Sequence, residues 1–180
     1  SYADIAGLFD SVYVSFYKGI GAIAGAALAG PTEFIAEARV WQRRHGGNLI
    51  QLYPLVLSAR ANLRRRLDRF AGYHERARSV AAVLTAIPGI SVKPDPPQTN
   101  MMHVYLRASA DALLDASVEI ARTERVLLFR RLLATGVPGV SAFELAIGDA
   151  TEALADDEIR TFFSHIMATA GAQHTVSDGG

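Results

Sequence analysis

Residues 10–30 read DSVYVSFYKGIGAIAGAALAG. Val12, Val14 and Phe16 alternate with Ser11, Tyr13 and Ser15, a period-two pattern of β-branched and aromatic residues that predicts a strand ending at Lys18. Gly19 and Gly21 follow and give the backbone freedom for a tight turn or a close approach to a ligand. A second apolar run, IAGAALAG, then leaves the turn as a second strand. The chain holds two lysines, Lys18 and Lys93, in an arginine-dominated sequence. Arginine serves surface charge as well. An amine on an apolar wall can lose its proton and attack a carbonyl to form a Schiff base, which a guanidinium cannot do. Ser15 offers a hydroxyl to a phosphate whose other partners are backbone N–H groups near Gly19. Lys18 is therefore the candidate catalytic group, and the plain alternative is a buried strand with a snorkelling lysine.

Outward from this stretch, Pro31 and Thr32 open a helix with Thr32 as N-cap. Glu33 and Glu37 lie toward its positive end, and Arg43, Arg44 and His45 crowd the negative end before Gly46. Phe34, Ile35, Ala38 and Trp41 form the stripe expected to be core. From Leu52 on, Leu55, Ala59, Leu63, Leu67 and Phe70 recur at helical spacing, predicting one long helix or two joined closely, with the arginines of 60–69 on a solvated face. Helix continues from Ser79 to Ile87 and stops at Pro88-Gly89. Upstream, Tyr2–Phe9 reads as the end of a helix with no start signal and a buried face of Ile5, Ala6, Leu8 and Phe9.

The second part of the chain alternates strands and helices. Ile90–Val92 is a short strand, the KPDPPQ loop breaks it, and Met101–Leu106 is the next, with His103 on the face of Met101 and Tyr105. Ser109 caps a helix to about Glu124. Val126–Leu133 and Val140–Ile147 are expected as paired strands joined through TGVPG. Asp156 begins a last helix with Ile159, Phe162, Phe163 and Ile166 inward.

Composition sets bounds. Half of the 180 residues are apolar, enough for a sizeable core, and the formal net charge is zero, so no field favours nucleic acid or an anionic membrane. The absence of cysteine excludes a disulfide framework, thiol catalysis and thiolate metal sites, and is compatible with a reducing cytoplasm. The start SYADIAGLFD lacks a basic or long apolar leader, and IAGAALAG is far shorter than the ~20 residues needed to span a bilayer. The expectation is a soluble, cytoplasmic protein with no metal, nucleic-acid or membrane partner.

The runs SFYKGIGA, IAGAALAG, TEFIAEARVWQRRHGG and QTNMMHVYL, in this order, resemble the threonine aldolase or β-eliminating lyase family of pyridoxal-phosphate enzymes, from about Ser1 to about Ala170. The resemblance implies an α/β and α+β chain, the C-terminal half of a fold-type-I subunit. Residues 1–65 would end the large cofactor domain, 66–170 would form a small α+β domain, and 171–180 a flexible tail. It places the Schiff base on Lys18 and the cofactor phosphate on Ser15 and Gly19. The implied activity is lyase chemistry on an amino acid: aldol cleavage of a threonine-like β-hydroxy amino acid to glycine and an aldehyde. The alternatives are β-elimination or a non-catalytic association module.

The family's aspartate for the pyridinium nitrogen and its ring-stacking histidine come from sequence ahead of the lysine. An upstream segment or another chain is therefore expected to complete the site. A homodimer or homotetramer is expected as well. Relatives place an arginine in the last small-domain strand, where this chain has Phe143 and Glu144, and another near Ile50. Arg130 and Arg131 are the substitute candidates for the substrate carboxylate.

Overall fold

The alternation at residues 12–16 does produce a strand, β1 (Val12–Ser15), which pairs antiparallel with β2 (Ala26–Ala29) in the register Val12↔Ala29 to Ser15↔Ala26. It ends at Ser15, not at Lys18. The Phe16 N–H donates to the Gly25 carbonyl at 2.9 Å, and its own carbonyl accepts from Ala22 N–H at 2.8 Å. Beyond that the chain turns: Gly21 N–H donates to the Lys18 carbonyl at 2.8 Å, and that bond takes the acceptor a longer strand would need.

The computed structural model describes the backbone of residues 1–177 and side chains through residue 171. Two compact units form, residues 1–69 and the chain from Phe70 onward. In the first, α1 (Tyr2–Ala6) precedes the hairpin and carries a start signal the sequence reading overlooked. Ser1 Oγ accepts from Asp4 N–H while the Asp4 carboxylate reaches back to the Ser1 N–H group, a reciprocal box with aspartate at the third position. Ile5, Leu8 and Phe9, expected to be buried, are exposed, because so short a helix brings no second layer against them.

After the hairpin, α2 (Thr32–Arg44) starts one residue earlier than expected: Pro31 occupies the cap position without a side-chain bond, so Thr32 lies inside the helix. Its stripe is not core. Phe34 and Trp41 are exposed, and Trp41 instead stacks on His45 with ring centroids 5.6 Å apart while the Arg44 guanidinium sits 4.9 Å from its ring centre. His45 is the helix C-cap, where a basic residue suits the negative end. Then α3 (Tyr53–Arg66) runs into a 3₁₀ turn, Leu67–Arg69. Directly after the turn comes α4 (Phe70–Thr85), so the long apolar period is two closely joined helices.

The second unit is a sheet covered by helices. Strands β3 (Ile90–Lys93), β4 (Met101–Leu106), β5 (Leu133–Ala134) and β6 (Ser141–Ala146) make an antiparallel sheet in the order β3-β4-β6-β5. Met102, Val104 and Leu106 are wholly buried while Met101, His103 and Tyr105 are half-buried, as a one-sided pleat requires. The helices are α4, α5 (Ala110–Thr123) and α7 (Asp156–Ser177), with α7 packed against both others. Ser109 caps α5 by accepting from Ala112 N–H at 3.4 Å. Between β6 and α7 lies one short turn of helix, α6 (Asp149–Glu152). Leu84, Leu113, Ile147, Phe143 and Ile166 close the core.

An ion pair ties α4 to the head of α7. Arg76 of α4 binds the Asp156 carboxylate at the head of α7 and donates to the Leu154 carbonyl at 2.7 Å, and Ser79 Oγ donates to Asp156 at 3.1 Å. The hydrogen bond from Arg76 holds the Asp156 carboxyl below its usual range. Of the stretch 171–180 expected as a tail, residues 178–180 lie outside the described residues.

The expected strand Val126–Leu133 does not form. Only Leu133 and Ala134 pair, with Ala142 and Ser141. Upstream, Phe129 plunges into the core, 5.0 Å from the Phe143 ring, so the segment is anchored by a side chain instead of a ladder and peels away from β6. No helix among the described residues is long and apolar enough to cross a membrane.

Candidate functional site

Lys18 stands at the outer end of the loop that joins β1 to β2, exposed to solvent and not set on an apolar wall. The loop beneath it is well held. Ile20 and Ala22 are 7% and 6% exposed and point inward, and Gly21 between them has φ +74, a conformation that favours glycine. Two side chains of α3 grip the loop on either side of Gly21. Arg66 Nη1 donates to the Ile20 carbonyl at 3.3 Å, and Ile23 N–H donates to Ser58 Oγ at 3.1 Å. Asn62, midway on the same helical line, donates to the Ser58 carbonyl at 2.9 Å and accepts from Arg65 at 3.1 Å.

The sequence reading missed Ser58, Asn62 and Arg66. Their signal was present as polar residues at i, i+4 and i+8, a polar line along α3 where the arginines had been read as a solvated face.

The fit of this loop to a phosphorylated aldehyde cofactor can be judged from its donors. Among the described residues, the Lys18 amine has no hydrogen-bond or ion-pair partner, and the N–H groups of Tyr17, Lys18, Gly19 and Ile20 are bonded to no other protein group. A primary amine beside unspent backbone donors suits an aldehyde and a phosphate. Ser15 lies half-buried at the end of β1, opposite Ala26, and Gly19 is exposed next to the lysine. Tyr13 and Tyr17 flank the same loop, and the neighbouring Tyr17 phenol pushes Tyr13 above its usual value. Lys93, the other lysine, ends β3 opposite His103.

In the second unit, the divergence of residues 127–131 from β6 opens a cavity of about 530 Å³. Arg130, Arg131, Glu144 and Thr151 line it, with both arginines exposed at its rim. The cavity therefore carries two guanidinium groups and one carboxylate along its lining. No group of three or more histidine, aspartate or glutamate side chains comes together among the described residues.

Comparison with known proteins bears on both units. An L-allo-threonine aldolase candidate from Listeria monocytogenes EGD-E superposes with a TM-score of 0.85 at 40% identity, over 94% of this chain and 47% of its own. A structure from Exiguobacterium sp. 255-15, described as a candidate aromatic amino acid beta-eliminating lyase/threonine aldolase, gives 0.84 at 37% identity, over 93% and 47%. The low-specificity L-threonine aldolase 1 of Arabidopsis thaliana is 32% identical over 93 residues, 52% of this chain and 26% of that protein. The chain thus spans about half the length of the solved structures it matches, and it has the fold-type-I architecture of pyridoxal-phosphate enzymes. The family description Beta-eliminating lyase matches residues 1–109, the part that carries the Lys18 loop and the strand QTNMMHVYL, and on that match the chain belongs to the beta-eliminating lyase family.

Proposed function

We propose that this chain contributes to a pyridoxal-phosphate-dependent lyase that cleaves a threonine-like β-hydroxy amino acid to glycine and an aldehyde. The observation that carries the reading is the uncommitted Lys18 amine on a loop of unspent N–H groups. The cofactor, when bound, supplies an electron sink for the pair left as a bond to Cα breaks. Lys18 Nζ would hold it covalently, and Ser15 Oγ with the backbone donors near Gly19 would take its phosphate. Arg130 and Arg131 would take the substrate carboxylate, a role supported by their place on a cavity that also carries Glu144. The Lys18 amine would also be the group of this loop able to carry a proton.

The family description itself supports β-elimination as the second reading, in which the α-proton is removed and a β-substituent departs. Both readings require Lys18. Relatives of about twice this length support a complete subunit with residues ahead of Lys18 in its site, and the apolar exposure of unit 1 supports a homodimer or homotetramer.

The test uses the native gene product loaded with pyridoxal phosphate. Aldehyde release from threonine, allo-threonine and phenylserine should fall by about a thousandfold or more in Lys18→Ala. Borohydride should label the peptide containing Lys18. Labelling confined to Lys93, or full activity in Lys18→Ala, refutes the assignment.

A further inference from the structure

The loop after Lys18 is anchored by two polar contacts that its turn does not require. Gly21 N–H to Lys18 carbonyl and Ala22 N–H to Phe16 carbonyl already close the turn. Ser58 and Arg66 add one acceptor and one donor from a different element, and they reach one peptide group on each side of Gly21: the Ile20 carbonyl just before it and the Ile23 N–H two residues after it. The fit is close. A Cβ at Gly21 would lie 1.9 Å from Arg66 Nη1, so the guanidinium occupies the space that a side chain at position 21 would fill. The Ser58 to Arg66 spacing is two helical turns, about 12 Å along α3. One rigid face therefore holds both sides of the Gly21 bend, with Asn62 tied to Ser58 and Arg65 between them.

A flexible glycine turn would let the lysine stem sample many directions. Fixing both flanks of Gly21 removes that freedom from the backbone carrying Lys18 while leaving its amine and the N–H groups of residues 17–20 unspent. Preorganisation of this kind raises the effective concentration of a nucleophile without touching it.

We propose that Ser58 and Arg66 are positioning residues for Lys18, clamping the Ile20–Ile23 bend so that the amine is presented to an aldehyde. The assignment rests on Lys18 being the cofactor lysine. Neither residue touches the reacting atoms; both act through the loop.

The experiment compares the two lysines within one molecule. The full 180-residue chain is treated with pyridoxal phosphate and borohydride, and adducts at Lys18 and Lys93 are quantified by peptide mass spectrometry. Amine and aldehyde condense with loss of water, and borohydride reduces the resulting C=N bond to a stable amine. Hydrogen exchange over residues 19–24 is read on the same samples. The wild type should favour Lys18 over Lys93.

Arg66→Ala and Ser58→Ala should each lower that ratio by roughly three- to tenfold, the scale of one hydrogen bond, and speed exchange in the loop. Ser58→Thr, which keeps the hydroxyl, should retain the wild-type ratio, and this variant together with Ser58→Ala decides the matter if Arg66→Ala unfolds. A wild-type preference for Lys18 that survives both alanine variants, whatever the exchange rates do, overturns the clamp and leaves the cofactor assignment standing. No preference in the wild type removes the cofactor assignment and the clamp with it.

Discussion

Gly21 shows how one residue without a side chain governs the candidate site. Its φ of +74 strains any L side chain, and its missing Cβ leaves the room that Arg66 uses. Gly46 provides the comparison, since it has φ +72 and nothing within 4 Å of a Cβ. Gly46→Ala should cost about 1 kcal/mol, the penalty for a left-handed alanine alone. Gly21→Ala should cost more, by roughly another 1–2 kcal/mol for the displaced guanidinium and its lost hydrogen bond. Denaturant unfolding followed through Trp41, the one tryptophan and a resident of the same unit, measures both. Equal losses would show that Arg66 moves aside freely. At this scale the sequence singles out Lys18 by its setting and is silent about its support. A lysine between tyrosine and glycines is visible as a pattern, whereas the residues that grip its loop lie some forty positions away.

Among the elements, the junction of α4 and α7 and the divergence of residues 126–132 are both decided by side chains. Arg76 is largely buried and Asp156 is 44% exposed, so solvent screens part of their attraction. Asp156→Asn should destabilise the second unit by about 1 kcal/mol at neutral pH, after that discount. The pH dependence follows from the sign of the shift. A carboxyl held below its ordinary value of 3.8 contributes its full stabilisation above that value and loses it as pH falls through the lower, folded-state value. The gap in stability between wild type and Asp156→Asn should therefore be constant from pH 7 to pH 5 and shrink below about pH 4. A gap that persists unchanged at pH 2 would assign the loss to packing. The failed strand has a different lesson: Val126–Leu133 has the composition of a strand, but Phe129 gains more from the Phe143 ring, which stacks in turn near Phe163, than from a ladder, and the cavity follows.

As a whole molecule the chain is unevenly built. In unit 1 the buried apolar residues are Ile20, Ala22 and Ala59, while Tyr13, Trp41, Ile50, Tyr53 and Leu57 are exposed; unit 2 has a continuous core from Tyr73 to Ala170. Amides of β1 and β2 should exchange faster than those of β4 and β6, by about a hundredfold or more, because opening the hairpin exposes little apolar surface. Equal protection would mean that unit 1 has support its burial does not reveal. The 180-residue chain alone, given pyridoxal phosphate, should release no aldehyde from threonine at an enzymic rate, about 1 per second. Its relatives are about twice as long, and oriented groups that act together lose orders of magnitude when separated. Turnover at that rate would show the site complete within this chain.

What the sequence determined by itself was whatever rests on local periodicity and motif order: the two strands and the glycine turn near Lys18, the helices α2 to α5, the strand β4 with His103 on the face of Met101 and Tyr105, the cap at Ser109 and the family. These are set by neighbours within a few positions, where spacing and propensity act directly. What only the tertiary structure decided was burial and long-range bonding. Trp41, Phe9 and Ile5 belong to apolar stripes that stay exposed, and the strand expected at Val126–Leu133 gives way to one buried phenylalanine. Ser58 and Arg66 meet the lysine loop because α3 happens to lie beneath it. Such contacts depend on which surfaces come together, and a period in the sequence states only that a face is apolar or polar, never what will lie against it.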